Sequence, residues 1–333
     1  MVPARIGVVA LDRRAAARDR PRPPEAYASM AGEQGSLGET LTAARYRLAA
    51  LAANALPGPV AQNLCRFAGT GLALAFRDRR LIMERHLRRV NPLYTEQELQ
   101  EAVQGAFDSY GRYWMESFRL PHLSDRAVER GFTMVGYENV VEGLERGKGV
   151  ILALPHLGGW EWAGRWLALQ GQRLTVVVEQ LENKELFEWF RKLRSDLGMT
   201  VVPVGPSAAA AVARALKANE VVCLLCDRDI QGGGVHVEFF GERTTLPAGP
   251  AMLSLRTGAP IVPAAVYFER RYNGHHALVR PAVPAERSGA GLRDDVQRVT
   301  QALARELEVL IRRAPEQWHL FQPNWPSDPG YGA

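Results

Sequence analysis

The segment GVILALPHLGGWEWAGRWLAL, residues 149 to 169, decides the fold class because its periodicity changes at the centre. Its first seven residues form a continuous apolar run, as expected for a strand that is buried on both faces. Pro155 ends that run, two glycines allow a turn, and helical periodicity follows. A buried strand that leads directly into a helix is typical of an α/β protein.

The same alternation continues along the chain. Five more strands are predicted, in RLTVVVE (173–179), TVVPVG (200–205), VVCLLCD (221–227), HVEFFG (236–241) and APIVPAAVYF (259–268). Helices are predicted over 160–170, 183–196, 207–218 and 248–257. The pattern therefore predicts an α/β fold with a mixed, mainly parallel central sheet flanked by helices, with any antiparallel strands at the sheet edges.

Helices dominate before residue 120. An apolar stripe is formed by Leu41, Ala44, Leu48, Leu51 and Ala55, and it ends at Pro57. Three more helices are predicted, through Leu64, Ala68 and Leu72, around Leu81 to Leu87, and from Glu96 to Phe118. Because Arg45 and Arg47 flank the first stripe, we expect this helical N-terminal segment to associate with a membrane.

These patterns give three regions. Residues 1–35 are rich in Arg and Pro and lack periodicity, which indicates a basic disordered tail, either without a role or attracted to anionic headgroups. Residues 36–120 are the N-terminal helices, and 121–327 are the α/β core. We expect one catalytic domain spanning about 36–327.

Composition restricts the class of protein. The chain has 333 residues, 47% of them apolar, which suits a globular domain, and only three cysteines, which indicates a reducing compartment. Four of the 41 basic residues are lysine. The arginine excess suits phosphate binding but is equally expected from a GC-rich genome. No apolar stretch is long enough to span a bilayer, so a soluble or peripheral protein is predicted.

His156 ends the first strand, and Glu161 falls in the first turn of the next helix. Imidazole is an effective general base near neutral pH, and a carboxylate on its second nitrogen would fix the tautomer. The spacing equally suits a structural histidine beside an acid that complements the helix dipole. It does not match the H-E-x-x-H pattern of a metal site, and no metal is expected.

Four segments taken together resemble a known family. They are SYGRYWMESFRLP (109–121), LALPHLGGWEWAG (152–164), LLCDRDIQGGGVHVEFFGERTTLPAGPAML (224–253) and WHLFQPNW (318–325). Over about residues 40 to 325 the chain resembles the bacterial glycolipid acyltransferases, which include lipid A and actinobacterial phosphatidylinositol mannoside acyltransferases. The resemblance implies a glycerolipid acyltransferase-like fold. It is strongest to the mannoside branch, although that branch has Asp where this chain has Glu161 and Glu where it has Asp227.

The resemblance implies transfer of a fatty acyl chain from acyl-CoA, as donor substrate without a further cofactor, to a mannose of a phosphatidylinositol mannoside. The enzyme would be peripheral, on the anionic cytoplasmic face of the cell membrane, and would not bind nucleic acid. Alternatives are a lauroyl or myristoyl transferase of the lipid A type, another lysophospholipid acyltransferase, a thioesterase, or a non-catalytic lipid-binding protein.

The resemblance also implies roles for individual residues. His156 would take the proton of the acceptor hydroxyl, and Glu161 would orient His156. Asp227 ends a strand expected to neighbour that of His156, and it would position the acceptor sugar or support the histidine. Arg194 would bind phosphate. The remaining predicted substrate-binding residues are Arg228, Glu179, Gly158 and Gly159. From sequence order alone, the amides around Gly158, Gly159 and Trp160 at a helix start are the candidate oxyanion donors. For Arg228 an ion pair with Asp229 is an equal alternative.

Overall fold

The computed structural model describes residues 48–179, 183–230 and 232–331. The predicted tail and the start of the helix at Leu41 lie outside these residues. The N-terminal part is helical as predicted: a segment over residues 48–55 is followed by α1 (Gly58–Ala75), α2 (Arg77–Val90) and α3 (Glu96–Arg119). Thr95 and Glu98 begin α3 with a capping box, in which each side chain satisfies a backbone N–H of the other.

The rest of the chain alternates strands and helices. The strands are β1 (Phe132–Val135), β2 (Val150–Leu154), β3 (Leu174–Val178), β4 (Met199–Pro203), β5 (Val221–Leu225), β6 (Val235–Phe239), β7 (Glu242–Leu246), β8 (Ile261–Phe268) and β9 (His275–Val279). The helices are α4 (Asp125–Arg130), α5 (Glu138–Glu145), α6 (Trp160–Leu169), α7 (Lys184–Asp196), α8 (Ala208–Lys217), α9 (Gly249–Thr257) and α10 (Leu292–Arg312). Short 3-10 turns cover Leu120–His122 and Pro315–Gln317.

Seven strands form one sheet in the order β1-β9-β8-β2-β5-β3-β4. All its pairings are parallel except β8 with β9, so the prediction of a mainly parallel sheet is confirmed. The antiparallel pairing reverses β9 and the edge strand β1 relative to the other five strands, so the expectation of antiparallel strands at a sheet edge is also confirmed. The predicted strand at 236–241 is outside this sheet, since β6 pairs with β7 as a separate hairpin.

Helices cover the sheet on both faces, which explains why the central strands are apolar throughout. On one face, α8, α9 and α10 pack in one apolar cluster around Val212, Ala251 and Leu303. On the other face, α4 to α7 pack in a second cluster that includes Trp162 and Leu193. Among the described residues, no helix is long and apolar enough to cross a membrane.

Residues 317 to 328, near the C-terminus, are called here the C-terminal strap. Trp318 forms an isolated antiparallel bridge with Leu157, and the Gln317 carbonyl accepts a hydrogen bond from the Gly158 amide at 3.0 Å. At the far end of the strap, the buried Asp328 carboxylate accepts hydrogen bonds from Arg85 and His86 of α2, each at 3.1 Å. The strap thereby connects the turn after β2 to the N-terminal helices.

Candidate active site

The carboxyl ends of β2 and β5 bring His156 and Asp227 together. The two strands pair in parallel with Leu154 opposite Leu225, and each functional residue follows two positions later. Nδ1 of His156 lies 2.7 Å from Oδ1 of Asp227, and the His156 amide donates to Oδ2 at 2.9 Å. The expectation that these strands are neighbours is therefore confirmed. Clefts at the carboxyl ends of parallel strands are where ligands bind in open α/β sheets.

Asp227 is fully buried, and its carboxylate accepts hydrogen bonds from two residues. Besides the two bonds from His156, Oδ2 accepts the indole N–H of Trp318 at 2.7 Å. Burial alone would raise the pKa of the Asp227 carboxyl, but the charge of His156 and the hydrogen bonds from His156 and Trp318 lower it below its ordinary value. The carboxylate therefore stays ionised, it bonds to His156 and Trp318, and it is not among the residues that line the adjacent cavity.

Glu161 does not pair with His156, so the predicted role of this carboxylate is wrong. Its Oε1 accepts from Nε of Arg194 at 3.0 Å and from the Tyr113 hydroxyl at 3.2 Å. The reason is the path of the chain, because the turn at Gly158 and Gly159 directs α6 so that Glu161 contacts α3 and α7. Glu161 is 3% exposed, and its charge is balanced inside the protein.

Arg194 is the partner of Glu161 in this buried ion pair. Burial would lower the pKa of its guanidinium, but the adjacent Glu161 carboxylate raises the pKa above its ordinary value. Burial, together with the Glu161 charge, also raises the pKa of Tyr113 well above its ordinary range, so its hydroxyl remains a donor. The positive charge of Arg194, which was predicted to bind phosphate, is therefore paired with the buried carboxylate of Glu161.

The backbone amides of Gly158 and Gly159, which were predicted to bind the oxyanion, already donate hydrogen bonds within the protein. The Gly158 amide donates to the carbonyl of Gln317 at 3.0 Å, and the Gly159 amide donates to that of Val266 at 3.1 Å. Gly158 also has φ of 63°, and a Cβ there would lie 1.8 Å from the Val266 carbonyl oxygen. Gly158 therefore allows a close approach of the turn to β8, and a Cβ at Gly159 would lie 2.7 Å from the His275 ring, so a lack of space explains both glycines.

Arg228 and Glu179 lie at the ends of β5 and β3, which are neighbouring strands. Nη1 of Arg228 is 3.9 Å from Oε2 of Glu179, and both side chains line the same cavity as His156. The alternative pairing of Arg228 with Asp229 is not seen, because Asp229 accepts hydrogen bonds from the Gly234 amide and the Thr245 hydroxyl. Substrate binding by Arg228 and Glu179 stays a prediction.

A cavity of about 910 Å³ opens beside these residues. His156, Trp160, Glu161 and Arg194 line it, together with many apolar side chains. The apolar lining includes Leu152, Leu154, Leu167, Val176, Met199 and Val266. A mainly apolar cavity that also has polar lining groups is the usual form of a small-molecule or lipid site.

Several residues around the site were not identified from the sequence. Trp318 and Tyr113 contact the two carboxylates described above, and a second buried pair joins His275 Nε2 to Glu116 Oε2 at 2.7 Å. Trp162 stacks on His275 with ring centroids 4.2 Å apart, which ties this pair to α6. Trp318 and Tyr113 lie in segments on which the family resemblance is based, and this position was the only indication in the sequence that they are near the site. His275 stands in no such segment.

The chain is similar to known bacterial acyltransferases. Residues 42–327 match the family model described as bacterial lipid A biosynthesis acyltransferase. A phosphatidylinositol mannoside acyltransferase of Mycobacterium tuberculosis is 39% identical over 67% of this chain and 70% of its own length. The protein of that name from Mycolicibacterium smegmatis is 36% identical over 68% and 73%. A lipid A biosynthesis palmitoleoyltransferase of Escherichia coli is 25% identical over 79% and 84%.

Proposed function

The chain belongs to the bacterial lipid A biosynthesis acyltransferase family, and we therefore propose that it transfers a fatty acyl chain from acyl-CoA to a mannose hydroxyl of a phosphatidylinositol mannoside. The observation that carries the proposal is the His156–Asp227 pair beside a cavity with an apolar lining. A general base and a space for an alkyl chain are two of the features that direct acyl transfer to a hydroxyl requires.

The chemistry follows from the hydrogen bonds of His156. Because Asp227 is a carboxylate acceptor, the proton of the imidazole is on Nδ1, and the lone pair is on Nε2. Nε2 would take the proton of the acceptor hydroxyl as its oxygen attacks the thioester carbonyl. Collapse of the tetrahedral intermediate would break the C–S bond, and the imidazolium would return the proton to the departing thiolate. Asp227 would stabilise the imidazolium between these steps.

The lining of the cavity supports an acyl substrate. Side chains of β2, β3 and α6 give it aliphatic walls around Leu154, Val176 and Leu167. Burial of each methylene of a fatty acyl chain against such walls contributes about 0.8 kcal/mol. The cavity also has polar lining residues, among them His156, Glu179 and Arg228, as a substrate with an acyl chain and a polar reactive end requires.

The acceptor in this proposal is taken from the relatives that are 36–39% identical, which are named phosphatidylinositol mannoside acyltransferases. The relative that acts in lipid A biosynthesis is more distant, at 25% identity. The proposal accordingly favours a mannosylated inositol lipid over a lipid A precursor.

Access to a membrane lipid is supported by the first helical segment. Leu48 and Leu51 are 65% and 68% exposed, and Val60 and Leu64 of α1 are also exposed. Four large apolar side chains on consecutive helical segments suit insertion into the interfacial region of a bilayer. We propose peripheral attachment to the anionic cytoplasmic face of the cell membrane.

The test is an acyl-transfer assay with the purified full-length protein and labelled palmitoyl-CoA. Four reactions would be compared, which contain phosphatidylinositol mannoside, a lipid A precursor, a lysophospholipid or no acceptor. The expected product is phosphatidylinositol mannoside with one further acyl chain on mannose, identified by mass spectrometry. Acylation of the lipid A precursor alone, or release of free fatty acid at a rate that acceptors do not change, would overturn the proposal.

A further inference from the structure

Trp318 of the C-terminal strap reaches the carboxylate that supports His156. Its indole N–H donates to Oδ2 of Asp227 at 2.7 Å, while His156 Nδ1 bonds to Oδ1 of the same group. Trp318 is fully buried and is not part of the cavity lining. A substrate in the cavity would therefore be contacted by His156 but not by Trp318.

The strap fixes the position of this indole. Trp318 forms a β-bridge with Leu157. The backbone amide of His319, the next residue, donates to the His156 carbonyl at 2.6 Å. The side-chain amide of Asn324 donates to the Asp227 carbonyl at 3.0 Å. The strap thus bonds to the main chain of both members of the pair. Aromatic rings surround the indole, among them His86, Phe240 and Trp325.

We infer that Trp318 is a positioning residue of the proposed acyl transfer: its indole N–H holds the Asp227 carboxylate and, through it, the ring of His156. This inference rests on the proposed function only because the reaction that Trp318 would assist is the proposed acyl transfer. The hydrogen-bond relay from Trp318 to Asp227 to His156 is a property of the fold.

Removal of the indole N–H has a definite electrostatic consequence. The carboxylate would stay buried and would lose one of its donors, so its negative charge would be less well solvated. The His156–Asp227 pair would then bind a proton more tightly, whichever member carries it. Since the base must be unprotonated to act, the acid limb of the pH–rate profile would move to higher pH.

Several titratable groups packed against the pair or the indole have pKa values displaced from their ordinary values. Burial lowers the pKa of His319 to about 3, so this ring is neutral, and burial with the Asp227 charge raises the pKa of the Cys226 thiol. Beneath the Trp318 ring, burial lowers the pKa of His86, and its partner Asp328 stays ionised. A shift of the acid limb on loss of the indole N–H would therefore report the His156–Asp227 pair.

The chain offers a matched control in Trp325. This residue is equally buried, and its indole N–H donates to the neutral carbonyl of Phe239 at 3.2 Å. Trp318→Phe and Trp325→Phe thus remove the same ring volume and one indole donor each, but only the first removes a donor from Asp227. We expect Trp318→Phe to lower kcat about tenfold or more with KM for both substrates unchanged, and to shift the acid limb upward by about one pH unit. Trp325→Phe should leave the limb unmoved.

A second readout is independent of acyl transfer. The ring resonances of His156 in ¹³C-histidine-labelled full-length protein, assigned with His156→Ala, would be followed against pH. We expect their midpoint to move upward in Trp318→Phe and not in Trp325→Phe, even if the proposed acceptor were wrong. Equal effects of the two variants on kcat, with unchanged acid limb and unchanged His156 midpoint, would overturn the inference.

A further variant covers the case in which Trp318→Phe does not fold. Replacement of the indole of Trp318 by benzothiophene, through an unnatural amino acid, keeps the ring volume and removes only the N–H donor. The same upward shift of the His156 midpoint is expected. A wild-type midpoint in this variant would equally overturn the inference.

Discussion

The His156 amide and the His156 ring both bond to the carboxylate of Asp227, at 2.9 and 2.7 Å. One buried side chain therefore fixes the main chain at the end of β2 as well as the orientation of the imidazole. A ring held in this way loses little conformational entropy when it acts as a base, because its orientation is already set in the free protein.

Loss of the base should reduce transfer severely. We expect His156→Ala to lower kcat by about 10²-fold or more, with the fold intact, because proton removal from the hydroxyl is then left to water. His236→Ala, at an exposed position on β6, is the control and should retain full activity. Transfer near the wild-type rate by a folded His156→Ala protein would exclude the proposed mechanism.

Neutralisation of Asp227 should affect both rate and pH dependence. Asp227→Asn keeps the size of the side chain but removes the charge that favours the imidazolium, so we expect kcat to fall by about 10²-fold or more. The acid limb of the pH–rate profile should move to lower pH, the direction opposite to that of Trp318→Phe. A limb that stays in place while kcat falls would indicate a packing defect instead of a lost charge.

The Glu161–Arg194 pair should matter more for stability than for proton transfer. Arg194→Ala leaves a buried carboxylate without its main partner, and a loss of about 3 to 5 kcal/mol in the free energy of unfolding is expected. The double variant Glu161→Leu with Arg194→Met should recover a large part of that loss, because neither charge remains buried. Urea unfolding of the three proteins gives the comparison, and an Arg194→Ala protein as stable as wild type would contradict it.

Asp328 should make the fold sensitive to acid. Burial alone would raise the pKa of its carboxyl, but hydrogen bonds from His86 and the Asn324 amide, with nearby positive charge, hold the pKa well below its ordinary value. A depressed carboxyl pKa contributes stability above the unfolded value of about 3.9 and loses it as the pH falls further.

The test of this group is the free energy of unfolding measured from pH 6 to pH 3. Wild type should lose more stability over that range than Asp328→Asn, which has no charge to lose, although the variant is less stable at neutral pH. Asp125→Asn, at an exposed carboxylate that pairs with Arg165, should change stability by less than about 1 kcal/mol. Parallel pH curves for wild type and Asp328→Asn would show that this carboxylate is not the sensitive group.

Membrane attachment should depend on the exposed leucines of the first helical segment. Leu48→Ser with Leu51→Ser should weaken co-sedimentation with anionic vesicles by at least about tenfold, because the apolar surface available to the bilayer is reduced. Val309→Ser removes an exposed apolar side chain from α10 and should have no effect. Unchanged binding of the leucine variant would place the attachment elsewhere.

Local pattern was sufficient for most of the fold. The apolar runs of β2, β3, β5 and β8 were identified from the sequence, because strands buried on both faces must be continuously hydrophobic. The short strands β1, β7 and β9 were missed, since four- or five-residue strands that carry polar side chains give little signal. The helix α10 was also missed, although Val299, Leu303 and Leu307 repeat at helical spacing.

By itself, the sequence determined that His156, Asp227 and Glu161 stand at ends of buried strands or starts of helices, because periodicity and turn residues act over a few positions along the chain. The partner of the histidine was decided by tertiary structure. Glu161 is five residues from His156 but turns with α6 towards Arg194, whereas Asp227 is 71 residues away and meets His156 because β2 and β5 pair in register. Side-chain contact depends on strand order and helix direction, and these are fixed by packing between distant segments.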